Sequence, residues 1–110
     1  MFLLIVKPLT GEEQKVLFTG QELLEQVGKL EGWKLDKESM VRKYMFNEFM
    51  KGIAFVDEVA TISEAFNHHP HITIDYKAVT LRLTTHNEGG ITSVDIREAH
   101  EFNEAFEKNR

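Results

Sequence analysis

His68-His69-Pro70-His71-Ile72-Thr73-Ile74-Asp75-Tyr76-Lys77-Ala78-Val79-Thr80-Leu81-Arg82-Leu83-Thr84-Thr85-His86 is the stretch on which the fold turns. Ile72, Ile74 and Tyr76 alternate with His71, Thr73 and Asp75, and Val79, Leu81 and Leu83 alternate with Thr80, Arg82 and Thr84. Alternation with a period of two marks strands that bury one face. The runs meet at Lys77-Ala78, which reads as the tight connection of an antiparallel hairpin. Pairing about that turn returns His86 to the side of His69 and His71. Strand parity sets His86 on the row opposite Val79, Leu81 and Leu83, so it is not expected in the core.

Working outward, Phe49, Ile53, Val56, Val59, Ala60, Ser63 and Phe66 fall on one arc at about 100° per residue, an amphipathic helix that Asn47 can cap. Pro70 disfavours the α conformation at His69, so this helix should end near Asn67 or His68. Beyond the hairpin, Gly89-Gly90 breaks the pattern. Thr92 then caps a last helix, with Asp95 three positions on, Ile91 and Ile96 as a hydrophobic staple, and Ile96, Ala99, Phe102 and Phe106 as its buried positions. Thr19-Gly20-Gln21-Glu22 has the same capping-box spacing for a first helix that buries Leu23, Leu24, Val27 and Leu30 and stops at Gly32. Between the first two helices, Trp33 and Leu35 read as one strand, Asp36 to Ser39 as a polar turn, and Met40, Tyr44 and Phe46 as the buried row of another. Arg42 shares that row and disturbs it. Met1 to Val6 reads as an apolar strand that a turn around Pro8 to Gln14 would join to Val16-Leu17-Phe18. Residues 1–17 are therefore taken as an N-terminal extension and 18–110 as the domain. The order is α+β, with an antiparallel sheet and helices on one face only.

A chain of 110 residues is one domain, too short for a large nucleotide-binding fold or a barrel of eight strand–helix units. Thirteen Lys and Arg against 18 Asp and Glu give a formal charge of −5, with no basic cluster, which argues against nucleic acid as a partner. There is no cysteine, so disulfide scaffolds, thiol catalysis and thiolate zinc sites are excluded. The apolar start is too short to span a membrane and lacks the features of a secretory leader, so no membrane is expected and the expected compartment is the cytoplasm.

His69, His71 and His86 thus converge at one end of the sheet, close to His68 at the helix exit, where imidazoles can transfer protons near neutral pH. Glu64 lies one helical turn before His68, at the edge of the apolar arc, where a carboxylate can be half buried. Plainer readings stand beside these. A His-His-Pro run can be a polar helix exit. Glu64 can be a solvated helix residue, Asp95 is first a helix cap, and Trp33 is more often core than a ligand platform. His100, among Glu98, Glu101 and Glu104, reads as surface. A metal site from the four clustered histidines is disfavoured, since adjacent histidines rarely ligate one ion and no fixed ligand motif is present.

Glu64-x-x-x-His68-His69-Pro70, Tyr76, Thr84-Thr85-His86 and Gly89-Gly90-Ile91-Thr92-x-x-Asp95 together resemble the signature of the pterin-4a-carbinolamine dehydratases. Gly32-Trp33 and Tyr44-x-Phe46-x-x-Phe49 match the same family, and the resemblance covers about residues 18 to 108. It implies a four-stranded antiparallel sheet with three helices on one face. It also implies loss of water from a 4a-hydroxytetrahydropterin to give quinonoid dihydropterin, recycling the cofactor of aromatic amino acid hydroxylases. On that reading His68 and His86 are the acid/base groups, His69 orients the pterin, and Glu64 holds the cluster. Asn67, His68, His69, Thr84, Thr85, His86 and Asn87 would read the pterin edge, Asp95 would orient His86, and Trp33 would wall the pocket. The resemblance implies no cofactor, no metal, and a homodimer or homotetramer. Relatives that act as non-catalytic assembly modules supply the alternative, a domain that stabilises a protein partner. The leader lies outside the family core, His71 stands where an acidic residue is common, and Lys77 replaces a usual Asn.

Overall fold

Two hairpins make the sheet. The computed structural model describes residues 15–110, and the strand and turn expected within residues 1–14 lie outside the described residues. Strand β1 (Lys34–Asp36) turns at Lys37 (φ 58°) into β2 (Ser39–Met45), and β3 (His71–Asp75) turns at Tyr76 (φ 52°) into β4 (Ala78–Leu83). The sheet order is β1-β2-β4-β3, antiparallel throughout. Three helices, α1 (Gly20–Gly28), α2 (Phe49–Phe66) and α3 (Ser93–Asn109), pack on one face, as expected. Met40, Tyr44, Val79 and Leu81 face them from the sheet and are fully buried, against Phe55 and Val59 of α2 and Ala99 and Phe102 of α3. Among the described residues, no helix is long and apolar enough to cross a membrane.

The β3–β4 loop is Tyr76-Lys77, not Lys77-Ala78. Ala78 belongs to the central strand, buried and paired with Asp75 and Met45, while the Phe46 amide donates to Lys77 O and holds Lys77 in the loop. Ile74 consequently faces Val79. The slip preserves parity, so the same side chains still face the helices. At the edge, Ile74 and Tyr76 are exposed rather than buried, because no strand lies beyond β3.

The helix ends separate by burial. Expected caps at Thr19 and Asn47 make no side-chain bond: Thr19 is the N-cap of α1 without one, and α2 begins after Glu48. At exposed ends water can satisfy the first amides. The end of α3 is buried, and there the box forms in full, with Thr92 Oγ1 accepting from the Val94 amide and Asp95 Oδ2 from the Thr92 amide. Helix α1 stops at Gly28 rather than Gly32, and within it Val27 is buried while Leu24 is exposed. In α2 the buried line is Gly52, Phe55, Val59, Ser63 and Phe66, so Phe55 replaces the expected Ile53 and Val56 at the centre, and Phe49 and Ala60 face solvent.

Arg42, the disturbance in the β2 row, closes the core instead of breaking it. Its guanidinium lies 4.3 Å from the centre of the Tyr44 ring and donates to Glu31 O (2.7 Å) and Asn103 Oδ1 (2.8 Å). Gly32 (φ 80°) makes room, since a Cβ there would meet that guanidinium. Asn103 Oδ1 also accepts from Trp33 Nε1 (2.9 Å) and Tyr44 Oη (2.5 Å). Burial pushes the Tyr44 hydroxyl well above its usual pKa, so it remains a donor. Asn103→Leu strips one acceptor from three donors and should lower unfolding stability by about 2–3 kcal/mol in a urea titration. A loss under about 0.5 kcal/mol would show that water replaces the amide.

Candidate active site

The exit of α2 aims the first histidine. Asn67 adopts the left-handed conformation (φ 52°, ψ 43°), its amide donates to Glu64 O and Ser63 O, and the His68 amide donates to Ser63 O. This Schellman-like turn ends the helix where Pro70 requires and swings His68 inward. The His68 ring is 12% exposed, with Nε2 2.7 Å from Asp95 Oδ1. Asp95 is fully buried, and its Oδ2 accepts from Thr85 Oγ1 (2.6 Å) as well as from the Thr92 amide (2.8 Å). With Nε2 committed to Asp95, the second ring nitrogen of His68 makes no hydrogen bond to a described residue.

After β4, Thr85 pairs with Gly90 around a short 3-10 turn, His86–Glu88, which presents His86 at the surface. His86 is exposed and lines the same cleft as His68 and His69. The cleft measures about 450 Å³ and is completed by Asn67, Thr84, Thr85, Asn87 and Lys15. Seven of the expected site residues therefore meet in one depression. Among the described residues no carboxylate lines it, although the chain carries a net charge of −5.

Three expectations change. Asp95 holds His68, not His86, because His86 rides on a solvent-facing turn while His68 points to the start of α3. Glu64 is exposed rather than half buried, since the arc of α2 runs through Ser63 and Phe66, and its Oε2 meets His69 Nε2 at 2.6 Å. Trp33 does not wall the cleft. It is 5% exposed, packs edge-on against Tyr44, and is tied to Asn103 in the core. His100 is on the surface beside Glu104, as expected. Among the described residues, no three His, Asp or Glu side chains are placed to hold a metal ion together. A larger hollow of about 560 Å³ between α2 and α3 contains no imidazole among the described residues, and its Glu58 is paired with Lys108.

Two residues escaped the sequence reading. Lys15 reaches the cleft because residues 16–18 bond to Ile91 and Ser93 across the start of α3, a pairing with no local signal. Glu98 is fully buried, and both of its carboxyl oxygens lack a hydrogen-bond partner among the described residues. Its spacing was legible: Asp95, Glu98, Ala99, Phe102, Ala105 and Phe106 share the inner face of α3. The residue type alone made it read as surface.

Residues 16–105 match the family model described as pterin 4 alpha carbinolamine dehydratase. A protein of Koribacter versatilis, named as a candidate pterin-4-alpha-carbinolamine dehydratase, is 44% identical over 86 residues, 78% of this chain and 92% of its own length. A protein of Prochlorococcus marinus (strain MIT 9515), named in the same way, is 38% identical over 92 residues, 84% of this chain and 96% of its own. A crystal structure titled as a transcriptional coactivator/pterin dehydratase from Brucella melitensis superposes with TM-score 0.77 at 32% identity, covering 80% of this chain and 96% of that one. A pterin dehydratase-like protein identified as a RuBisCO assembly factor of the alpha-carboxysome shares the fold (TM-score 0.57, 19% identity, 67% of this chain and 86% of that one).

Burial first, and the neighbouring Asp95 second, push the Glu98 carboxyl up to about 9 from 4.5. Between those values the folded chain keeps a proton that the unfolded chain releases, so stability falls as pH rises through the window, and the contribution is fully lost above it. Glu98→Gln, which cannot ionise, should flatten the decline of unfolding free energy between about pH 5.5 and about pH 8.5 by up to about 1.4 kcal/mol per pH unit. Equal slopes for the two proteins would show that Glu98 ionises freely in the folded state.

Proposed function

This chain belongs to the pterin 4 alpha carbinolamine dehydratase family, and from that premise we propose that it dehydrates a 4a-hydroxytetrahydropterin to the quinonoid dihydropterin. The observation that carries the reading is the meeting of His68, His69 and His86 in one cleft, with Asp95, which holds His68, and Glu64, which holds His69, kept off its walls.

The reaction asks for little more. The C4a–O bond breaks, its electron pair leaves with the hydroxyl, and a proton delivered to that oxygen releases water. The N5 proton leaves to a base as the N5=C4a double bond forms. An imidazole can give or take a proton near pH 7, so two on opposite sides of a flat ring suffice. His68 and His86 take these parts. His68 is fixed by Asp95 through Nε2, leaving Nδ1 for the substrate. His86, exposed on its turn, can exchange its proton with water between cycles. His69, braced by Glu64, orients the ring, and polar groups of Asn67, Thr84, Thr85 and Asn87 meet its edge. The protein acts in the cytoplasm as a homodimer or homotetramer.

A second reading, a non-catalytic assembly module, has one feature in its favour. Met45, Phe49, Met50, Ile74 and Tyr76 are exposed, with Phe49 and Tyr76 stacked at 6.3 Å. Activity separates the two. The carbinolamine is generated in an aromatic amino acid hydroxylase assay, and the absorbance of quinonoid dihydropterin is followed. The protein should accelerate its appearance. His86→Ala should lower turnover by about 100-fold or more, with thermal stability unchanged. No acceleration by the unaltered protein, or full activity in His86→Ala, would overturn the reading.

A further inference from the structure

A second basin of about 310 Å³ adjoins the histidine cleft and shares His69, Thr84 and His86 with it, so one elongated molecule can occupy both. Beyond Ser39 and Pro70, the groups that the basin adds are basic: His71 and Arg82. They are directly opposite one another on β3 and β4. Among the described residues no carboxylate lines the basin. Asp36 takes Arg82 Nη2 at 2.9 Å in a half-exposed pair, and Glu64 is taken up by His69, which leaves further guanidinium donors and the His71 imidazole without an acidic partner among the described residues. Opposed basic groups on paired strands repel when both are charged, and an anion between them turns that cost into attraction. The planar fork of Arg82 suits a phosphate oxygen pair.

We propose that this basin is an anion subsite that receives a phosphate-class group on the side chain of the ring held in the histidine cleft, which makes a phosphorylated pterin the preferred substrate over one with a neutral side chain. His71 and Arg82 are then specificity residues, remote from the reacting carbon. The inference rests on the pterin reading above, and the test separates the two. Binding of a tetrahydropterin with a neutral hydroxylated side chain and of its phosphate ester is measured by calorimetry at low salt. The unaltered protein should bind the ester about tenfold more tightly or better. His71→Glu and Arg82→Gln should each erase most of that preference, with affinity for the neutral pterin unchanged within about twofold. Equal binding of the two pterins, or a preference that survives both substitutions, overturns the subsite. If neither pterin binds, the function proposed above fails. Inorganic pyrophosphate then decides the subsite alone: it is supported by shifts in the NMR signals of His71 and Arg82, the Arg82 shift being lost in His71→Glu, and overturned by their absence or by an Arg82 shift that survives that substitution.

Discussion

One carboxylate ties together three segments distant in sequence. Asp95 Oδ1 meets His68 from the exit of α2, and its Oδ2 takes the Thr85 hydroxyl from the end of β4 and the Thr92 amide at the start of α3. Bonds of this charge-assisted kind are short, and a lost partner in the interior costs about 1.5–3 kcal/mol. The geometry of the cleft thus follows from the burial of one helix end. Capping α3 and aiming His68 are the work of the same side chain, so loss of Asp95 would disturb both.

The other imidazoles are held differently. His69 and Glu64 form an exposed pair, which water and salt weaken. His86 depends on the backbone of its 3-10 turn, closed by the Thr85–Gly90 bridge. A fixed histidine facing a solvent-exposed one suits an elimination in which protons must pass both to the substrate and to water. Behind Asp95, burial pushes the Glu98 carboxyl up to about 9, which disfavours a second charge in the same place. A second ionised carboxyl there would repel the first through an apolar interior, where such repulsion is strong.

Much of this was legible in the chain because its strongest signals were periodic. The alternation in residues 71–84 fixed the hairpin and its buried face even though the turn was misplaced, since the register slip preserved parity. The Thr92–Asp95 box is legible in its spacing and forms, whereas the one at Thr19 has the right letters and no bond, at an end where water can meet the free amides. The meeting of His86 with His69 and His71 followed from the hairpin, whereas the place of His68 beside His86 came with the family resemblance. What the sequence hid was three-dimensional choice. Asp95 has His68 rather than His86 within reach, Trp33 is drawn to Asn103 across 70 residues, and Glu98 occupies a core position that its type disguises.

The central claim is that His68 and His86 face the two sides of one bound heterocycle. A crystal structure with a dihydropterin soaked or co-crystallised would test it directly. The account predicts the ring in the histidine cleft, with His68 Nδ1 and an imidazole nitrogen of His86 each within about 3.5 Å of N5 or the C4a position. A ring seated in the hollow between α2 and α3, or touching only one of the two imidazoles, would contradict it.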